Sequence, residues 1–270
     1  TVQMNFGTNT SPFAGKEGKF VTGRKIEERL FRETQRDVSL KISRVDNKEE
    51  WIVSGRGELH LSILIENLRR EGFEFQVSRP RVILKEINGV VNEPYEYVQV
   101  DVPDAYIGST IEMFGNRRGN LEGMNSKDGQ TRLIYTIPSK GLIGFMTDFL
   151  TATHGYGIMN HTFLEYRPVQ PDVFMGRKLG VLVSINQGMA TAYACGGVED
   201  RGELLIEPGI MVYEGMIVGI CNREEDLAVN ITREKQMTNQ RSATKDSTTV
   251  LKKPRVFSLE NYLSFIDDDE

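Results

Sequence analysis

Apolar positions in the first 80 residues switch repeatedly between a two-residue and a helical period, and each switch marks an element. Residues 2–8 read as a strand, followed by a Gly-rich loop and a helix over 22–36. Strands over 38–45 and 50–54 follow, joined by the turn Asp46-Asn47-Lys48. Leu61, Leu64, Ile65 and Leu68 then recur at helical spacing, while Glu66, Arg69, Arg70 and Glu71 fall on the outward face. Gly55 and Gly57 bracket Arg56, where a sharp turn with left-handed freedom is expected. Gly72 stands where a helix C-terminus favours a left-handed residue. Phe73-Glu74-Phe75-Gln76-Val77 alternates again as a strand. The order β-α-β-β-α-β is the split βαβ, or ferredoxin-like, plan.

The plan then repeats without close sequence similarity. Residues 95–102 alternate, Pro103-Asp104 opens a helix to about Asn116, and strands over 121–126 and 132–137 flank the turn Lys127-Asp128-Gly129-Gln130. Ser139 begins a second helix to about Ala152, and a strand over 157–166 closes the unit. Beyond Pro168 and Pro171 the pattern changes to short strands over 181–185, 190–194, 203–206, 216–220 and 228–231. Gly, Pro and Asn turns separate them, as in an antiparallel barrel or sandwich. Residues 258–266 read as a short helix with Ser258 as N-cap. Residues 234–249 lack any sustained period. The expected fold class is α+β: ferredoxin-like domains over 1–85 and 86–170, then a mostly antiparallel β domain with a short helix over 171–270.

Composition sharpens this reading at two places. A hydrophobic content of 39% with 26% charged residues suits a packed globular core, and 270 residues suit two or three domains. No apolar run approaches the roughly 20 residues that cross a bilayer, and no secretory pattern opens the chain, so no membrane partner is expected. The start at Thr1, already extended from the next residue, reads as a fragment of a longer protein. Cys195 and Cys221 have no metal spacing and read as buried, reduced thiols of a cytoplasmic protein. The net charge of −5 conceals a basic segment: seven Lys and Arg between Arg233 and Arg255 face only Glu234 and Asp246, a balance of +5. Five acidic residues in the last fifteen cancel it.

Catalytic chemistry is not legible. There is no G-x-x-x-x-G-K-[ST] phosphate loop; Gly15-Lys16 lacks the leading glycine and runs into Glu17. No G-x-S-x-G elbow occurs. His154 and His161, seven apart, suit turn and edge positions better than metal ligation, and His60 suits packing or polar capping at a helix start. This chain is expected to catalyse nothing by itself.

The word Gly55-Arg56-Gly57-Glu58-Leu59-His60-Leu61 closely resembles the helix start in domain III of the translational GTPases, which include EF-G and LepA. The second unit follows after only Pro80-Arg81-Val82-Ile83-Leu84-Lys85-Glu86, a direct junction shared by LepA and the BipA/TypA family. Asn9-Thr10-Ser11-Pro12-Phe13-Ala14-Gly15, residues 54–70 and Lys235-Gln236-Met237-Thr238-Asn239 with Arg241 are similar to BipA/TypA in particular. One departure is Asn239-Gln240-Arg241-Ser242-Ala243 where the family usually runs Asn-Met-Arg-Ala, which weakens a role for Gln240.

The resemblance implies the C-terminal half of such a GTPase: domains III and V of the EF-G type and a BipA-type C-terminal domain. It implies a ribosome-binding portion, monomeric and contacting rRNA and A-site tRNA, in a protein of stress response, ribosome assembly and translation control. It implies no cofactor in this chain, with GTP and Mg held by an N-terminal domain the chain lacks. The family's C-terminal loop reaches toward the tRNA acceptor end. Here Lys235, Arg241, Lys245, Lys252 and Lys253 suit phosphates, and Thr238 and Asn239 suit phosphate or ribose oxygens. The tip His154-Gly155-Tyr156-Gly157 offers a ring for base stacking, against the plainer reading of a Gly-rich turn. Arg117 and Arg118 suit RNA contact or simply the end of a helix dipole. The loop 13–19 suits packing on other domains as well as RNA. A stand-alone protein-interaction scaffold of tandem ferredoxin-like domains is the competing class.

Overall fold

The computed structural model describes residues 2–170, 177, 179–235 and 251–266. Strand β1 (Val2–Thr8), helix α1 (Gly23–Thr34), strands β2 (Lys41–Arg44) and β3 (Glu50–Gly55), helix α2 (Glu58–Arg70) and strand β4 (Phe75–Val77) form the first unit in the expected order. Its antiparallel sheet runs β2-β3-β1-β4, the ferredoxin-like arrangement. The alternating positions Met4, Phe6, Trp51 and Val53 face Ile26, Leu30, Leu61, Leu64, Ile65 and Leu68 from the two helices. Across the helices, the Arg29 guanidinium donates to both Glu71 carboxylate oxygens (2.6 and 2.7 Å) and to Glu33 (2.5 Å), with only 7% of its side chain exposed. Those carboxylates hold the Arg29 pKa far above its ordinary value, Glu71 contributing most.

Two local expectations are corrected here. Neither Gly55 nor Gly57 adopts a positive φ. Gly55 is required instead by proximity, since a Cβ there would lie 2.9 Å from the His60 ring, and Gly57 is the extended N-cap of α2. His60 caps as expected: its Nδ1 accepts from the Arg56 N–H (3.3 Å) and its Nε2 faces Asp37 (2.8 Å). Strand β2 starts three residues later than expected because Asp37 accepts from the Ser39 N–H and hydroxyl, holding a turn that leaves Val38 exposed.

The second unit adds β5 (Arg81–Val82), β6 (Lys85–Ile87), β7 (Val90–Pro103), α3 (Ile107–Asn116), β8 (Asn120–Lys127), β9 (Gln130–Pro138), α4 (Phe145–Ala152) and β10 (Ile158–Pro168). Its sheet, β10-β7-β9-β8, repeats the first topology. The core stacks Phe114 on Tyr135 (centroids 4.2 Å apart) and Phe145 edge-on to Phe114 (4.5 Å). The helix expected over 139–152 divides at Gly144, whose φ of +68 separates a 3-10 turn, Ser139–Leu142, from α4. Asn88-Gly89, both left-handed, form a hairpin turn that extends β7 back to Val90. At the junction the Glu58 carboxylate accepts from the Gly144 N–H (2.8 Å), a negative charge at the N-terminus of α4.

The remaining described residues form a second compact unit of 177, 179–235 and 251–258. Strands β11 (Val181–Ser184), β12 (Gly188–Met189), β13 (Gly202–Leu204), β14 (Met211–Val212), β15 (Ile217–Cys221) and β16 (Leu227–Val229) build a sheet β13-β15-β11-β16 and a β12–β14 pair. One pair, β11–β16, is parallel. The strand expected over 190–194 is instead the start of helix α5 (Ala192–Val198), because Thr191 caps it by accepting from the Ala194 N–H (3.1 Å). Cys195 and Cys221 are buried free thiols in this core, and burial pushes the Cys195 thiol up. The last helix, α6 (Leu259–Phe265), groups with the first unit: Leu263 is 3% exposed in the core beneath α2.

Candidate nucleic-acid interface

The end of the second unit where β7 leaves and β10 begins carries three aromatic rings. After β7 a single 3-10 turn, Asp104–Tyr106, leads directly into α3. It sets the Tyr106 ring 6.4 Å from Tyr156, nearly parallel at 18°, and 5.8 Å from His154. The turn is anchored by Asp104, which accepts from the Thr131 hydroxyl (2.6 Å). On the other side α4 ends with His154 at φ +49 and Gly155 at φ +80. Gly155 N–H bonds Leu150 O (2.8 Å), closing a Schellman-type end. The buried Thr153 hydroxyl accepts from the Gly157 N–H (3.2 Å) and donates to Phe149 O (2.8 Å). The backbone of the tip is therefore held, while the Tyr156 side chain remains 67% exposed. A fixed backbone presenting open aromatic faces suits stacking on unpaired bases, because little ordering entropy remains to be lost.

Tyr106 is the residue that sequence reasoning missed. Its only local signal is its place three residues after Pro103 at a strand-to-helix junction. Arg117 and Arg118 are not part of this cluster. They follow the far end of α3, whose ten residues span about 15 Å. Arg117 is committed to structure: its Nη1 donates to Ile143 O (3.0 Å), its Nη2 faces Asp148 (3.5 Å), and its guanidinium lies over Phe145. Arg118 occupies the left-handed position (φ +63) that closes α3. His161 lies on β10, paired through Nδ1 with Glu96, and no group of three metal-binding side chains occurs among the described residues.

In the other unit Lys235, Lys252 and Lys253 are exposed, whereas Thr238, Asn239, Arg241 and Lys245 lie outside the described residues. The two stems of the basic segment are both tied to α5. The Thr191 hydroxyl donates to Arg233 O (2.5 Å) at its start, and Glu199 at its end accepts from the Lys252 N–H (2.7 Å). Arg255 N–H bonds Leu204 O (2.9 Å), and its guanidinium faces Glu203 (3.3 Å). Helix α5 thus frames the segment, a role that a strand at 190–194 would not provide.

With this geometry in place, comparison with known families divides the chain three ways. Residues 21–79 match the family described as Elongation Factor G, domain III; residues 90–176 match Elongation factor G C-terminus; residues 179–270 match TypA/BipA C-terminal domain. Over its full length the chain is 57% identical to a Bacillus subtilis protein named Large ribosomal subunit assembly factor BipA. Proteins of the same name from Synechocystis and Escherichia coli K12 are 51% and 50% identical. The chain spans 44–45% of the length of these relatives.

Proposed function

Because the chain belongs to the TypA/BipA family, we propose that it is the ribosome-binding part of a translational GTPase. The observation that carries this reading is the 57% identity, spread over the whole chain, to a relative named for assembly of the large ribosomal subunit. In this reading the three rings at residues 106, 154 and 156 stack on exposed rRNA bases. Lys235, Arg241, Lys245, Lys252 and Lys253 neutralise phosphates of rRNA or A-site tRNA, with Thr238 and Asn239 donating to ribose or phosphate oxygens. GTP and Mg belong to the part of the relatives that this chain does not span, so the chain contributes binding rather than hydrolysis. Ribosome assembly, stress response and translation control are then properties of the whole protein, acting as a cytoplasmic monomer. Segments 1–85, 86–170 and 171–270 are its three modules, the last lending α6 to the first.

Cosedimentation of the 270-residue chain with large ribosomal subunits across a salt series tests the proposal. Affinity is expected to fall steeply with salt, and Lys235→Ala and Arg241→Ala each to flatten the logarithmic slope by about one unit. Binding that is absent, or indifferent to salt and to both substitutions, would leave the scaffold reading instead.

A further inference from the structure

Helix α5 carries one large side chain that the core of its domain leaves unused. Its inward face is Ala194, Cys195 and Val198, all buried. Tyr193, in the first turn, lies off that face and is 49% exposed. Among the described residues it has no hydrogen bond, ion pair or ring contact. Gly197, four residues on and therefore on the same face, is exposed, and a Cβ there would meet nothing within 4 Å. The outer face of α5 is thus an aromatic ring followed by bare backbone. A lone exposed ring is ordinary on a protein surface; the setting of this one is not.

Both stems of the basic segment are tied to this helix. The Thr191 hydroxyl, two residues before Tyr193, holds Arg233 O, and the Glu199 carboxylate holds the Lys252 N–H. Thr191 and Glu199 lie about 12 Å apart along the helix. Helical side chains lean toward the N-terminus, which inclines Tyr193 to the Arg233 side. Arg233, Lys235, Lys252 and Lys253 are all exposed. Glu199 and Asp200 of α5 lower the segment's balance of +5 only to +3, so the surroundings stay cationic. A ring flanked by cationic chain is the composition of a single-strand nucleic-acid site, in which π-faces take bases and cations take phosphates. An apolar protein surface would satisfy the ring but leave the lysines unmatched.

We infer that the outer face of α5 binds one unpaired RNA base, stacked on Tyr193, with the flanking phosphates on the Arg233–Lys235 and Lys252–Lys253 stems. The site rests on the ribosome-binding reading and extends it, since there the basic segment holds only phosphate and ribose oxygens. Here its frame takes a base as well. Bare backbone at Gly197 leaves room for the sugar to close on the helix.

Cosedimentation of the 270-residue chain with large ribosomal subunits across a salt series separates the two kinds of contact. Tyr193→Ala is expected to weaken binding about tenfold at every salt concentration. The logarithmic slope should stay as in the parent, because stacking releases no counterions. Lys252→Ala and Lys253→Ala should instead each flatten that slope by about one unit. Tyr193→Phe keeps a ring and should bind as the parent does. Tyr193→Leu keeps apolar area without a ring and should bind as weakly as Tyr193→Ala, so this pair decides even if the alanine variant folds poorly. A parent chain that does not bind large subunits overturns the ribosome-binding reading and the α5 site with it. Parent binding that Tyr193→Ala leaves unchanged overturns the α5 site alone. Parent-like binding by Tyr193→Leu also overturns it, because the side chain then meets a protein's apolar surface rather than a base.

Discussion

The same corner of the same topology is built in opposite ways in the two ferredoxin-like domains. In the first, 14 residues (9–22) separate β1 from α1, and this loop folds over the corner where α2 turns into β4. Lys19 and Phe20 donate to Gly72 O, the Phe20 ring lies 4.9 Å from Phe73, and the Glu74 carboxylate gathers the N–H groups of Gly15, Glu17 and Gly18. In the second, only the three residues 104–106 separate β7 from α3. Nothing so long is available to cover the corner between α4 and β10, and the His154 and Tyr156 rings remain exposed there, while Tyr106 packs partly on the core. Loop length at one junction therefore decides whether a shared topology yields a packed joint or a presentable tip.

The largest effect should come from cutting the tie that holds the packed corner. Arg29→Ala strips Glu71, at the end of α2, and Glu33 of their shared cation. With Arg29 7% exposed but Glu71 42% exposed, a loss of about 2–4 kcal/mol is expected in denaturant unfolding. A loss below about 0.5 kcal/mol would show that the corner does not depend on this clamp.

Gly18→Ala attacks the cover itself. A Cβ there would stand 2.4 Å from Glu74 Cβ and 2.9 Å from its backbone nitrogen, so the loop must lift, at about 1–3 kcal/mol. The measurement is again the unfolding midpoint, together with loss of amide protection at Gly15. If the protein is unchanged, the cover is not tight.

At the bare corner the expectation reverses: Tyr156→Ala should leave stability within about 0.5 kcal/mol yet weaken ribosome binding by about 1–3 kcal/mol. Tyr106→Ala should weaken binding likewise but also cost about 1–2 kcal/mol of stability, because its ring is partly buried against the core of this domain. Were either to destabilise the fold by several kcal/mol without affecting binding, the tip would be a second packed joint and the contrast would collapse.

The smallest and most selective effect is one of pH. Hydrogen bonds from Gly18 and Gly15, with further donors at Asn9 and Glu17, hold the Glu74 carboxyl at about 2, below its ordinary 4.5. A depressed carboxylate stabilises fully above its unfolded pKa, and that contribution fades as pH falls from about 4.5 toward 2. Protection factors at Gly15 and Gly18, taken relative to the intrinsic exchange rate at each pH, should therefore fall across that window. Gly155 and Gly157 donate to Leu150 O and the Thr153 hydroxyl instead, so their exchange should show no matching transition.

Both β-α-β-β-α-β units are legible from local pattern alone, because strand alternation and the helical spacing of Leu61, Leu64, Ile65 and Leu68 are imposed by one buried face per element. Asp128-Gly129 likewise announces its hairpin through two left-handed residues. Asn88-Gly89 carries the same signal, but no long alternating run precedes it to mark a strand. Local pattern fails where partners are distant. Residues 190–194 have the composition of a short strand, and only the Thr191 cap and burial of Cys195 and Val198 make residues 192–198 a helix. His154 and Tyr156 are visible in a Gly-rich turn, but the platform needs Tyr106, some 50 residues earlier, brought in by the β7–β10 pairing. The destination of α6 is equally undetermined by pattern, since its single buried Leu263 fits any apolar hollow and the core beneath α2 happens to supply one. Sequence by itself determined the periods, the turns and the charge of the basic segment, because these arise between neighbours along the chain. Which corner is covered and which rings meet were decided by tertiary structure, because those depend on surfaces that exist only once distant elements have packed.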